Sequence, residues 1–76
     1  MNKQRRKRLE EASALLEQAK DILEEVKDEE AEAYENLPEG LQGSERGEAM
    51  QEAIDSLESA YDGLEDVISS VEEAGA

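Results

Sequence analysis

Residues 9–26, LEEASALLEQAKDILEEV, and residues 50–74, MQEAIDSLESAYDGLEDVISSVEEA, decide the fold of this chain. In both stretches apolar side chains recur at alternating steps of three and four residues. The repeated positions are Leu9, Ala12, Leu16, Ala19, Leu23 and Val26 in the first stretch and Met50, Ala53, Leu57, Ala60, Leu64, Val67, Val71 and Ala74 in the second. Because this spacing keeps the side chains on one face of an α-helix, the sequence predicts two long amphipathic helices.

A second apolar row lies beside the first on each predicted helix. Two helices packed on each other cannot bury both rows, so the predicted fold class is all-α: an antiparallel two-helix hairpin that self-associates into a four-helix or larger bundle. A dimer is the expected oligomer. Gly63 lies in the middle of the second predicted helix, where glycine costs up to about 1 kcal/mol relative to alanine. Close packing of helices at this position explains the glycine better than simple tolerance of it. The predicted oligomer face consists of Leu15, Ile22, Ile54, Tyr61, Gly63 and Ile68.

The link between the helices is the stretch NLPEGLQGS. Residues 1–76 are expected to form one domain, with a first helix over about 3–35, a link over about 36–44 and a second helix over about 45–73. Pro38 stops the first helix. The link is too short for anything but an antiparallel return of the chain.

Several residues of the link suggest its local structure. Gly40 and Gly43 permit positive φ angles. Asn36 and Glu39 resemble a capping pair, which predicts a single helical turn inside the link. Ser44 suits the N-cap of the second helix.

Charge is distributed unevenly along the chain. The sequence holds 22 acidic and 8 basic residues, for a net charge of −14. Five basic residues form an N-terminal basic arm, which consists of Lys3, Arg5, Arg6, Lys7 and Arg8. The remaining chain, with three basic and 22 acidic residues, carries −19 and repels nucleic acid and anionic lipid.

Two interpretations of the basic arm stay open. It could compensate the acidic C-terminal turns that contain Asp66, Glu72 and Glu73, because the hairpin brings the two ends together. Alternatively, it could dock onto nucleic acid or another protein, although no aromatic residue is interleaved for base stacking.

The composition excludes several kinds of chemistry. Cysteine and histidine are absent, which removes disulfides, zinc fingers, iron–sulfur ligation and nucleophilic mechanisms based on these residues. Most carboxylates fall on the outer helix faces and match neither a di-iron nor a calcium-binding pattern. No metal, no cofactor and no enzyme activity are therefore expected. No uncharged stretch could cross a bilayer, so we expect no membrane partner and a cytoplasmic location.

Glu29 and Glu30 interrupt the apolar rows near the link. With Leu16 facing Leu64 and Leu23 facing Leu57, Glu30 comes beside Met50 and one turn from Arg46, which suggests an ion pair between Glu30 and Arg46. The candidate binding cluster at this loop end consists of Glu30, Tyr34, Asn36, Ser44 and Arg46. The cluster could equally be a structural cap that locks the hinge.

The segment YENLPEGLQGSERGE, residues 34–48, resembles the centre of a set of small acidic proteins from bacteriophages and prophages. The resemblance spans essentially the whole chain and implies a phage context rather than a mechanism. Phage accessory proteins of this size often act by binding, including inhibitors of host defence.

The favoured function is that of a non-enzymatic homo-oligomeric binding protein in the bacterial cytoplasm. It could inhibit host defence by presenting a nucleic-acid-like acidic surface to a host protein, or by sequestering a small nucleotide-like signal with Arg46 on phosphate and Tyr34 on the base. The alternatives are a structural or assembly scaffold of phage particles, and a regulator that uses the basic arm on DNA.

Overall fold

The computed structural model describes residues 1–76 and is built from helices alone. The helices are α1 (Lys3–Glu35), α2 (Glu39–Gln42) and α3 (Glu45–Gly75). Helix α1 packs against α3 as a hairpin, and the molecule is a rod of 58 × 14 × 12 Å. The predicted all-α hairpin is confirmed, and α3 runs two residues beyond its expected end.

Both long helices begin at a side-chain cap, which supplies a partner for one of the backbone donors left free in the first turn. Asn2 Oδ1 accepts a hydrogen bond from the backbone N–H of Arg5 at 2.8 Å. Ser44 Oγ accepts one from the backbone N–H of Gly47 at 3.4 Å, which confirms Ser44 as the N-cap of α3.

The link differs from its prediction in two respects. Its single helical turn is present as α2, but Asn36 and Glu39 do not form the capping pair: Asn36 ends α1. The residue before α2 is Pro38, which makes no side-chain cap. No glycine adopts a positive φ, so the link does not use the left-handed conformations that Gly40 and Gly43 permit. The extended backbone of Pro38, with φ −55° and ψ 144°, reverses the chain together with α2 and makes left-handed residues unnecessary.

Contacts between the long helices fix their register. A Cβ placed on Gly75 would lie 3.7 Å from Leu9 Cδ1, so the start of α1 meets the end of α3. Further along, Lys20 Nζ lies 5.3 Å from the centre of the Tyr61 ring and 3.9 Å from Glu65 Oε2. These contacts set the level of each residue across the hairpin.

The observed register is displaced by about one helical turn from the predicted one. Counted along the two helices from the Leu9–Gly75 contact, Leu16 comes level with Ile68 rather than with Leu64. The pairs Leu23–Leu57 and Glu30–Met50 are displaced in the same direction. The reason is α2, which packs against the first turn of α3 at Gly47, so α3 extends past the end of α1.

The interior of the hairpin includes the second apolar row of α3. Ile68 is only 5% exposed, and Ile54 and Tyr61 are half-buried, so these three members of the predicted oligomer face lie inside the hairpin. When α1 packs against these large side chains, more apolar area is removed from water than if it packed against the neighbouring row of α3, which contains several alanines. Leu15 and Ile22 do face outward, 65% and 58% exposed.

Gly63, the last member of the predicted oligomer face, is exposed on α3. A Cβ placed on it would meet nothing within 4 Å. Within one chain, Gly63 therefore does not mediate close helix packing. Val26 and Val67 are also 42% and 46% exposed, so the hairpin leaves apolar side chains of both helices in water.

Candidate functional site

The loop-end residues do not converge on a common pocket. Ser44 and Asn36 serve as helix-end residues, and Tyr34 is half-buried with its backbone oxygen bonded to the Gln42 side chain. Arg46 is exposed and makes no ion pair, so the predicted Glu30–Arg46 pair is wrong. It fails because the register shift carries Arg46 beyond the end of α1. Of the five residues only Glu30 lines a groove, and neither groove in the molecule includes Tyr34, Asn36, Ser44 or Arg46.

Two residues at the loop end matter more than the sequence suggested. Gln42 Nε2 donates hydrogen bonds to the backbone oxygens of Tyr34 and Leu37, both at 3.3 Å, and so ties α2 to the end of α1. Gly47 is buried, and a Cβ placed on it would lie 2.0 Å from the Gln42 oxygen. Its signal in the sequence is a glycine in the first turn of a helix, where alanine would be favoured unless space forbids it.

One long side of the rod carries a cluster of charged and aromatic side chains. Lys20 lies over the Tyr61 ring, and Lys27 Nζ lies 5.9 Å from the centre of the same ring. Lys20 also pairs with Glu17 at 3.5 Å and with Glu65 of α3 at 3.9 Å. The contacts of Lys20 and Lys27 with Tyr61, and of Lys20 with Glu65, join the two helices across their boundary and supply a structural role for Tyr61.

Protonation of this cluster is shifted by its surroundings. Loss of hydration raises the pKa of Tyr61, and the negative charge of nearby Glu24 raises it further. For Lys20 the loss of hydration lowers the pKa, but Glu17 and then Tyr61 and Glu65 oppose it and leave the pKa above its ordinary value. Both shifts favour the charged ammonium and the neutral phenol, and the cation–π contact requires the ammonium to stay charged.

The opposite long side of the rod, here called the front face, carries two shallow grooves. One, of about 490 Å³, is lined by Val26, Glu29 and Glu30 of α1 and by Ala53, Ser56 and Leu57 of α3. The other, of about 370 Å³, is lined by Met1, Arg5, Arg8, Leu9 and Ala12 near the start of α1. The exposed side chains of Leu15 and Ile22 follow the same helical rows between the two grooves.

The front face therefore has a definite order along α1. Its two ends carry opposite charges, with arginines at the start of α1 and glutamates near its end, and its middle is apolar. The front-face residues of α1 are Arg5, Arg8, Ala12, Leu15, Ala19, Ile22, Val26 and Glu29.

The basic arm finds no acidic partner within the chain. Both ion pairs in the structure involve Lys20, so Asp66, Glu72 and Glu73 do not compensate the arm through direct contacts. The arm forms the first turns of α1 and is exposed. Its charges are therefore free to meet another molecule.

No group of three or more acidic side chains is arranged to hold a metal ion. No helix combines the length and the apolar character that crossing a bilayer requires. In comparisons with known proteins, no family model matches the chain, and no curated protein or solved structure matches it either.

Proposed function

We propose that this chain is a non-enzymatic, homo-oligomeric binding protein whose acidic outer surface occupies a basic surface on another protein. The resemblance to small bacteriophage proteins favours a host defence protein in the bacterial cytoplasm as the target. A nucleic-acid-binding enzyme is the class that fits best, because its basic groove already accepts a long anionic rod.

The observation that carries the proposal is the charge density of the rod. Fourteen net negative charges over 58 Å correspond to about one per 4 Å of length, against one per about 1.7 Å in duplex DNA. Two copies side by side would carry about one per 2 Å, which approaches the density of the duplex.

Most of this charge is available to a partner. Only two carboxylates, those of Glu17 and Glu65, lie within ion-pair distance of a cation, and both share Lys20. Nearly all the others are exposed, including Asp21, Glu25 and Asp28 on the outer surface of α1. Charges of one sign that lack partners in their own chain attract a complementary surface and accelerate encounter with it.

Self-association is the second part of the proposal. The exposed apolar side chains of the front face support it, because a 76-residue chain with so little buried surface gains stability by covering them. A four-helix bundle of two chains is the simplest assembly that would do so.

Capture from a bacterial lysate tests the binding function. We expect the immobilised protein to retain DNA- or RNA-binding proteins, and we expect added duplex DNA to release them, since both ligands would compete for one basic surface. Increasing the NaCl concentration should also release them, because salt screens charge–charge attraction.

A charge-neutralised variant makes the test specific. The triple change Asp21→Asn, Glu25→Gln and Asp28→Asn removes three exposed charges from α1 and should weaken capture. The control, Ser59→Ala with Ser69→Ala, changes exposed uncharged residues of α3 and should leave capture unchanged. Captured proteins that neither DNA nor salt displaces, or capture that is equal for the triple variant, would refute the acidic-surface proposal.

A further inference from the structure

We infer that two copies of the chain pair through their front faces in antiparallel orientation, with α1 packed on α1 of the second copy and Arg8 of each copy beside Glu29 of the other. The inference rests on the proposed homo-oligomeric function and specifies its interface. The order of side chains along the front face, and the charges at its ends, are the observations that support it.

An apolar strip in the middle of the front face needs a cover. Leu15 and Ile22, 65% and 58% exposed, are the most exposed large apolar residues in the helical part of the chain, and Val26 adds to them at 42%. They form one continuous strip along α1 with Ala12 and Ala19 between them. Contiguous apolar surface of this kind marks an interaction site on a soluble protein.

The strip matches an inverted copy of itself. When two α1 helices lie antiparallel with Ala19 beside Ala19, Leu15 and Ile22 come within one residue of the same level, and so do Arg8 and Glu29. Every apolar position of the strip then meets an apolar position, and each charged end meets the opposite charge. A two-fold symmetric interface requires this kind of self-complementarity.

Helix α3 agrees with the same two-fold axis. The Lys20–Glu65 contact shows that Glu65 lies at almost the same level of the rod as Ala19. An axis at this level makes Gly63 of one copy face Val67 of the other. The exposed valine would thus enter the space left by an exposed glycine, which has nothing within 4 Å of its Cβ position in the single chain.

Charge selects the antiparallel orientation over a parallel one. In a parallel pair the two basic arms would lie together at one end, and the two acidic loop ends would lie together at the other. In the antiparallel pair each arm, which has no acidic partner in its own chain, lies against the loop end of the second copy. Opposite charges at both ends therefore favour this orientation and disfavour the other.

Charge reversal tests the interface through the dimer dissociation constant, measured by analytical ultracentrifugation. Arg8→Glu and Glu29→Arg each turn two attractive pairs per dimer into repulsive ones, and we expect each to raise the dissociation constant by about tenfold. The double variant restores opposite charges in every pair, so its dissociation constant should return to that of the original chain.

Matched controls separate the interface from overall charge. Lys7→Glu and Asp28→Arg make the same changes in net charge one residue away, on the outer surface of α1 rather than the front face. Circular dichroism first checks that each reversal variant and its control have the same helix content, and their dimer dissociation constants are then compared. Reversals that behave like their controls, or a double variant that does not recover, would overturn the inference while the proposed self-association stands. A chain that stays monomeric would overturn both.

A cysteine cross-link tests the orientation independently of charge. The chain has no cysteine of its own, so Ala19→Cys introduces a single thiol at the inferred two-fold axis. Mild oxidation should give a disulfide-linked dimer, because the two thiols face each other there. Ala33→Cys, which lies away from the axis, should give none. Failure of Ala19→Cys to cross-link, or equal cross-linking of Ala33→Cys, would overturn the antiparallel arrangement.

Discussion

At the residue scale, Gly47 joins α3 to α2. Alanine normally stabilises a helix relative to glycine by up to about 1 kcal/mol, but here its Cβ would lie 2.0 Å from the backbone oxygen of Gln42. We expect Gly47→Ala to lower the free energy of unfolding by roughly 2 kcal/mol, since backbone must move to make room. Urea unfolding followed by circular dichroism measures the change.

Gly40→Ala is the matched control for Gly47→Ala. A Cβ on Gly40 would meet nothing within 4 Å, and no glycine of the chain has a positive φ. The change should therefore be neutral or stabilising. Equal loss of stability in both variants would show that the packing of α2 against α3 does not depend on Gly47.

Tyr61 and Lys20 give the hairpin a pH dependence on the alkaline side. Because both pKa values are raised in the folded chain, the folded state holds these protons more tightly than the unfolded state does. The stability they contribute is present below the ordinary tyrosine pKa of 10.0 and is lost as the pH rises through the raised values.

Thermal melts from pH 8 to above pH 11 test this dependence. Tyr61→Phe removes the phenol proton but keeps a ring for the lysines, so we expect the melting temperature of the variant to fall less steeply above about pH 10. Tyr34→Phe is the control, because the Tyr34 hydroxyl makes no hydrogen bond in the structure. An unchanged alkaline slope in Tyr61→Phe would contradict the role assigned to Tyr61.

At the element scale, two nearby residues at the start of α3 have different roles, one structural and the other without an ionic partner in the chain. Ser44 caps the helix, whereas Arg46, two residues later, is exposed and has no ionic partner. Ser44→Ala should lower the free energy of unfolding by about 1 kcal/mol through loss of the cap. Arg46→Ala should change it by less than about 0.5 kcal/mol, as for other surface positions.

Urea unfolding of the two variants decides between the two interpretations of the loop end. A large loss of stability in Arg46→Ala would restore an architectural role for this arginine. An unchanged stability would leave it available for a partner, whose binding could then be measured with the folded variant.

Helix positions were predictable from local signals, and the helix register was not. Pro38 and Ser44 mark chain positions where a helix must end or begin, so the limits of α1 and the start of α3 follow from the sequence. The apolar ladder repeats with every turn, so a displacement of one turn keeps apolar residues opposite apolar residues. Only the packing of α2 on Gly47, a contact in three dimensions, selects the observed register.

The same ambiguity explains the error in the oligomer face. Either of two neighbouring apolar rows on α3 can pack against α1, and the sequence alone does not say which one does. Tyr61 belongs to the second apolar row, which the sequence predicts to face another hairpin, yet the lysines of α1 provide partners for its ring. On α1, where no such partners face Leu15 and Ile22, the outward assignment agrees with their exposure.

At the scale of the whole molecule, acidic repulsion opposes both folding and pairing. The chain carries a net charge of −14 with only two ion pairs, so it has little attraction for salt to screen. We expect the melting temperature to rise between 10 mM and 0.5 M NaCl by about 4–8 °C, equivalent to roughly 1 kcal/mol, because screening acts mainly on repulsion.

The triple variant Asp21→Asn, Glu25→Gln and Asp28→Asn should melt higher than the original chain at low salt and gain less from added salt. A melting temperature that falls as salt is added would instead mean that ion pairs of the basic arm, within or between chains, outweigh the repulsion of the acidic body.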